Sequence, residues 1–154
     1  PGVAAAAGCQ LVATCDLAIA SNEAVFITPG VNIGLFCSTP MVAVSRSLGR
    51  KKTMEMLLTG ESMNAEDAVS FGLINKKVPL NELETTVLNC AKLIASKPTS
   101  TVRIGKEAFY KQAELPIEKA YKYTSEVMAQ NMLKKDAKEG IEAFLEKREP
   151  KWEN

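Results

Sequence analysis

The spacing of apolar positions divides the chain into two halves with different periods. From Pro79 onward the pattern is helical. Leu83, Val87, Leu88, Ala91, Ile94 and Ala95 share one face, as an amphipathic helix requires. Pro98 breaks that run, and another helix is predicted to about Gln112. Ile117, Ala120, Tyr121, Thr124, Val127 and Met128 make a third stripe, with Glu118 four residues before Lys122 in the favourable order. Ala137, Ile141, Phe144 and Leu145 make a short last one. Such stripes predict faces that must be buried, in a core or against a neighbouring subunit.

The first half reads as short mixed elements. The small residues Ala4 to Gly8, leading into Leu11, Val12 and Cys15, predict a short buried helix. Leu17 to Ala20 and Ala24 to Thr28 predict strands, closed by Ser21-Asn22 and by Pro29-Gly30. Thr39-Pro40 predicts a hydroxyl cap before a proline at the first helical position, with that helix ending near Leu48. Met54, Leu57 and Leu58 share a face of the next helix, which stops before Gly60. Asn64 and Asp67 resemble a capping box for a helix ending at Gly72, and Ile74 to Val78 predicts a strand. The expectation is an α/β core over 1–78 and a helical region over 79–154. There is no internal repeat.

Composition narrows the chemistry. The 154 residues fit one domain, or a core with a helical extension, and the net charge is +1. The charges are interspersed, so neither a nucleic-acid surface nor a membrane surface is expected. The first twenty residues are apolar but interrupted by Gln10 and Asp16 and have no basic leader, so they predict neither a signal peptide nor a membrane span. The chain starts abruptly at Pro1-Gly2 inside an apolar stretch, which predicts further material upstream. There is no histidine. That removes Ser-His-Asp and Cys-His nucleophiles and every His-ligated metal site, and no metal is expected. The four cysteines, Cys9, Cys15, Cys37 and Cys90, lack Cys-x-x-Cys spacing and predict buried free thiols in a reducing compartment.

The run from Ala4 to Gly8 carries candidate chemistry. Small side chains let a ligand approach the backbone, and free amides at a helix start stabilise developing negative charge. Tight helix–sheet packing is the competing explanation for the same residues.

Several phrases in one order carry a resemblance: "GVAAAAGCQL", then "CDLAIA", Phe26, "PGVNIGLF", "LLTGESMNAEDAVSFGLINKKVP" and the tail "KEGIEAFLEKREPKW". Together they resemble the crotonase (enoyl-CoA hydratase/isomerase) superfamily from its oxyanion-hole helix onward. The resemblance implies the C-terminal portion of a ClpP/crotonase-type ββα spiral, followed by a helical oligomerisation region forming a trimer or dimer of trimers. It implies a coenzyme A thioester as substrate or ligand, no separate cofactor, and a mitochondrial location. The backbone amide of Ala7 would be one of two oxyanion donors, with Gly8 beside it. The other donor lies in a part of the family fold that this chain does not match.

The same resemblance shows departures. The two glutamates with which the family hydrates an enoyl thioester fall on Gln10 and Gly30. A glutamine amide is no base at neutral pH, and glycine has no side chain. Losing both should nearly abolish hydration, since acid–base catalysis supplies about 10²–10⁴-fold. Restoring Gln10→Glu and Gly30→Glu together should then raise it.

Phe36, Cys37 and Ser38 would line the acyl pocket, and without histidine neither Cys37 nor Ser38 has an activating base. Lys147 would reach coenzyme A phosphates, with Arg148 and Lys151 as weaker candidates. Arg103 and Lys106 are expected on a solvated helix face, Glu23 in a turn and Asp16 in a structural role. Three readings follow. The chain could belong to a binder of acyl-CoA in fatty acid metabolism with little hydratase activity. It could belong to an enzyme of other enolate chemistry, such as decarboxylation or isomerisation. It could be a truncated product with an incomplete site.

Overall fold

The computed structural model describes residues 1–152. The chain forms two compact units, 1–89 and from Cys90 onward.

In the first unit three very short strands build a sheet. They are β1 (Val3–Ala5), β3 (Val25–Ile27) and β4 (Ser62–Asn64), with β3 in the middle. Strand β1 runs parallel to β3, pairing Ala4 with Phe26, and β4 runs antiparallel, pairing Phe26 with Met63. A second sheet pairs β2 (Ile19–Ser21) in parallel with β5 (Lys76–Val78). Helices α1 (Ala7–Thr14), α2 (Pro40–Ser47), α3 (Arg50–Thr59) and α4 (Ala65–Phe71) surround these strands. Phe26, Val44, Met56, Met63, Ala65, Ala68, Leu73 and Ile74 meet in one buried cluster.

Several local expectations change. Ala4 and Ala5 are strand, and the helix begins only at Ala7. Alanine favours helix, but pairing with β3 satisfies the backbone of these residues and overrides that weak preference. Helix α1 is not a buried helix: Cys9 is its one buried residue, while Leu11 is 65% exposed. Cys15 is exposed too, whereas Cys9 and Cys37 are buried, and all four thiols are free. Thr39 takes helical angles and makes no side-chain cap, although Pro40 does open α2. Asn64 does cap α4, accepting the Asp67 N–H at 2.8 Å, a bond of the kind worth about 1 kcal/mol. Neither β4 nor the 3-10 turn over Pro29–Ile33 follows from the apolar pattern.

Helix α5 (Leu80–Ala95) begins in the first unit and ends in the second, which continues with α6 (Thr99–Ala113), α7 (Ile117–Met132) and α8 (Lys135–Glu146). The four predicted helices are present, yet α5 and α7 bury no residue. Ile117, Tyr121 and Phe144 are 77%, 71% and 82% exposed, so their stripes are not core within this chain. Among the described residues no helix is long and apolar enough to cross a membrane.

Two polar links organise the second unit. The Ser100 hydroxyl donates to Asp136 Oδ2 at 2.5 Å, tying the first turn of α6 to that of α8. Beyond α8, Arg148 grips Glu139 with Nη1 and Nη2 at 2.6 and 3.0 Å, its Nε reaches Glu146 at 2.6 Å, and the Lys151 N–H donates to Glu139 at 2.7 Å. The Arg148 hydrogen bonds, then the Lys151 amide, hold the Glu139 carboxyl down at about 2. An unfolded glutamate titrates near 4.3, so between these values the unfolded chain binds the extra proton. The clip's contribution is therefore full above the ordinary glutamate range and is lost as pH falls toward 2. Carbon NMR of the Glu139 carboxyl should titrate near 2 in the native protein and move up in Arg148→Gln; an ordinary midpoint in both would refute the clip.

Candidate functional site

The turn between β1 and α1 is shaped by one strained residue. The Ala6 N–H donates to the Ile27 carbonyl at 2.9 Å, one step past the end of β1. Its carbonyl accepts the Gln10 N–H at 2.9 Å, the first helical bond of α1. Meeting both demands puts Ala6 at φ 45 and ψ −106, a conformation that L-residues avoid. Strain of this kind costs about 1–3 kcal/mol. Its effect is to turn the chain abruptly, so that Ala7 begins α1 with an N–H that has no acceptor one turn back in the helix. Glycine adopts this φ without penalty. Ala6→Gly should therefore raise the unfolding free energy by about 1 kcal/mol in urea melts, and a loss of stability would show that Ala6 is not strained.

Ala6 and Ala7 border an open cavity of about 590 Å³. Its other walls come from the 3-10 turn and the loop after it: Gly30, Ile33, Leu35, Phe36, Cys37 and Ser38, closed off by Thr39 and Pro40 at the start of α2. No lining residue is charged. The loop is drawn back over the turn by the Leu35 N–H donating to the Gly30 carbonyl at 2.9 Å. As a result, a Cβ on Gly30 would lie 2.8 Å from the Leu35 carbonyl oxygen and 2.9 Å from Cys37 Sγ. The space a side chain at position 30 needs is already filled. Phe36 is 43% exposed at the rim, and the Ser38 hydroxyl donates to the Phe36 carbonyl at 3.3 Å. Behind this wall lies Cys9. Burial first, and then the Cys37 thiol, push its pKa up to about 11, with a backbone hydrogen bond to Ile27 pulling the other way. Cys9 is a neutral thiol at physiological pH.

The structure thus brings Ala7, Gly30, Phe36, Cys37 and Ser38 to one cavity. Gly8 and Gln10 lie on α1 and are not among its lining residues. Gln10 is half-buried. Asp16 lies exposed in the connection between α1 and β2, and Glu23 is exposed in the β2–β3 turn. Lys147 lies in the second unit, where it ends α8 in the left-handed conformation with φ 55. Arg148 is committed to Glu139 and Glu146. Sequence reasoning did not single out Ala6, Asn32, Ile33, Leu35 or Pro40 as site residues. Pro29-Gly30 signals a turn there, but a positive φ at an alanine leaves no mark in the sequence.

The model of the enoyl-CoA hydratase/isomerase family matches residues 1–154. Rat enoyl-CoA hydratase domain-containing protein 3, mitochondrial, is 52% identical over 151 residues, covering 98% of this chain and 50% of the relative. The Dictyostelium discoideum probable enoyl-CoA hydratase, mitochondrial, is 36% identical over 155 residues, covering 99% of this chain and 56% of the relative. Among solved structures, an enoyl-CoA hydratase of Mycobacterium smegmatis superposes with a TM-score of 0.97 at 50% identity, covering 99% of this chain and 60% of that one. Human enoyl-CoA hydratase domain-containing protein 3 superposes with a TM-score of 0.95 at 50% identity, covering 98% and 60%. The chain therefore spans about half the length of the curated relatives it matches. With its short parallel strands, its strained entry into α1 and the cavity beside it, this crotonase-like chain belongs to the enoyl-CoA hydratase/isomerase family.

Proposed function

We propose that this chain forms part of an acyl-CoA-binding protein of fatty acid metabolism that has little or no hydratase activity. The observation that carries the reading is the cavity at the start of α1, where Ala7 presents the first helical amide and no lining residue is acidic or basic. A thioester oxygen placed there gains a donor from the Ala7 N–H, aided by the positive end of α1. Such a donor is worth about 3 kcal/mol when charge develops on that oxygen. The apolar side chains of Ile33, Leu35 and Phe36 suit an acyl group. Neither Gln10 nor Gly30 can move a proton to or from water or carbon at neutral pH.

The thioester is ligand or substrate, and the reading needs no separate cofactor. Lys147 would meet coenzyme A phosphates. The exposed stripe of α5 and the exposed Ile117, Tyr121 and Met128 side chains of α7 would pack in a homo-oligomer, a trimer or dimer of trimers. The relatives named as mitochondrial support a mitochondrial location.

Calorimetric titration of the protein at its full natural length with acetyl-, crotonyl- and octanoyl-CoA tests the reading, alongside an assay of crotonyl-CoA hydration. Saturable binding without turnover is the expected result. Binding with turnover of a carboxyacyl-CoA would shift the reading to enolate chemistry such as decarboxylation. Failure to bind any of the three would overturn it.

A further inference from the structure

Away from that cavity, the second unit holds an open groove of about 660 Å³ between α6 and α7. Three cations face it: Arg103 and Lys111 from α6, and Lys134 just beyond α7. All three side chains are exposed, and none makes an ion pair among the described residues. Glu107 stands one helical turn from both Arg103 and Lys111 without pairing with either, so the groove keeps an excess of two positive charges over its one carboxylate. Lys111 is held at the wall by the Tyr123 ring, 4.5 Å from its centroid. Asn131 also lines the groove. Its Oδ1 is shielded from solvent and, as an acceptor, offers nothing to a phosphate oxygen, so the anion selectivity rests on the three cations. Ile104, Val127 and Leu133 give the groove an apolar side, and Leu133 is 87% exposed there.

We infer that this groove binds a small organic phosphate, a phosphate monoester carried on an apolar body. Charge selects the head group. A phosphate monoester brings about two negative charges at neutral pH and three strong acceptor oxygens, which match the uncompensated charge. A carboxylate brings one charge and leaves the groove positive. The Arg103 fork can grip a carboxylate or a phosphate, so the count of charges, and not the shape of the fork, favours the phosphate. The volume admits an organic body against Ile104, Val127 and Leu133. The inference uses only residues of the helical unit and does not rest on the acyl-CoA reading.

The test is calorimetric titration of the full-length protein with hexyl phosphate, hexanoate and inorganic phosphate. Hexyl phosphate should bind most tightly. Hexanoate should be weaker because it lacks the second charge, and inorganic phosphate weaker because it lacks the apolar body. Arg103→Gln with Lys111→Gln should weaken hexyl phosphate binding at least about tenfold, as expected for one lost charge-assisted hydrogen bond. Arg103→Lys should retain part of the affinity. These positions are exposed, so the melting temperature should not change, and Ala6→Gly, at the other cavity, should leave hexyl phosphate binding intact. Equal affinity for hexanoate and hexyl phosphate would overturn the proposal. So would indifference to the double substitution, or no binding tighter than about 1 mM.

Discussion

Gly30→Glu should destabilise the protein by about 3 kcal/mol, and it should not by itself create a working hydratase. The first atom of any side chain at this position would lie 2.8 Å from the Leu35 carbonyl oxygen, 2.9 Å from Cys37 Sγ and 3.3 Å from the Cys37 nitrogen. Two of these contacts are with backbone, which cannot rotate away as a flexible side chain can. Accommodating the glutamate therefore means moving the loop over 35–37, and overpacking of this kind costs about 1–3 kcal/mol. Urea melts of Gly30→Ala isolate the contact cost, since alanine adds only the Cβ. Combining Gly30→Ala with Cys37→Gly should recover the part due to the thiol and leave the part due to the Leu35 carbonyl. If Gly30→Ala were as stable as the parent, the packing described for this loop would be wrong. The sequence suggested that restoring both glutamates would raise hydration. The folded chain changes that expectation, because position 30 is filled as well as vacant of a carboxylate. Turnover by the double variant would require the loop to have rearranged, and proton NMR of the Phe36 ring would report it.

Phe26→Ala should cost about 3–5 kcal/mol, the largest loss expected from a single truncation here. Phe26 is 3% exposed and lies at the centre of β3, opposite Ala4 on one side and Met63 on the other. It belongs to the cluster that includes Val44, Met56 and Ala68. Strands of three residues supply few ladder bonds, so the sheet depends on its side-chain packing. The effect should reach the cavity, because the next residue, Ile27, accepts the Ala6 N–H. Denaturant melts measure the stability loss, and acyl-CoA titration should show weaker binding even below the unfolding transition. A loss under about 1 kcal/mol would mean that the site collapses to fill the space, and that Phe26 does not organise the sheet.

Much of the architecture could be read from local pattern. The helical period after Pro79, the break at Pro98, the cap at Asn64 and the proline opening α2 are short-range features, and each appears where its chemistry places it. The family could be read as well, because it is written in the order of several motifs. The faces of the helices were less legible. A stripe announces that a surface wants covering, but α5 and α7 show that it does not announce by what.

What the sequence determined by itself was chemical inventory: no histidine, no carboxylate at position 10 or 30, and a run of small residues ahead of Gln10. Those are properties of residue types, and folding cannot alter them. Tertiary structure alone decided where the strand ends and the helix begins within that run. It forced Ala6 to a positive φ through its bond to Ile27, and it folded Leu35 and Cys37 over Gly30. Each of these depends on groups distant along the chain or on a backbone rotation that side-chain identity does not encode. The physical reason is that an amide's direction and a cavity's free volume are set by long-range pairing and packing.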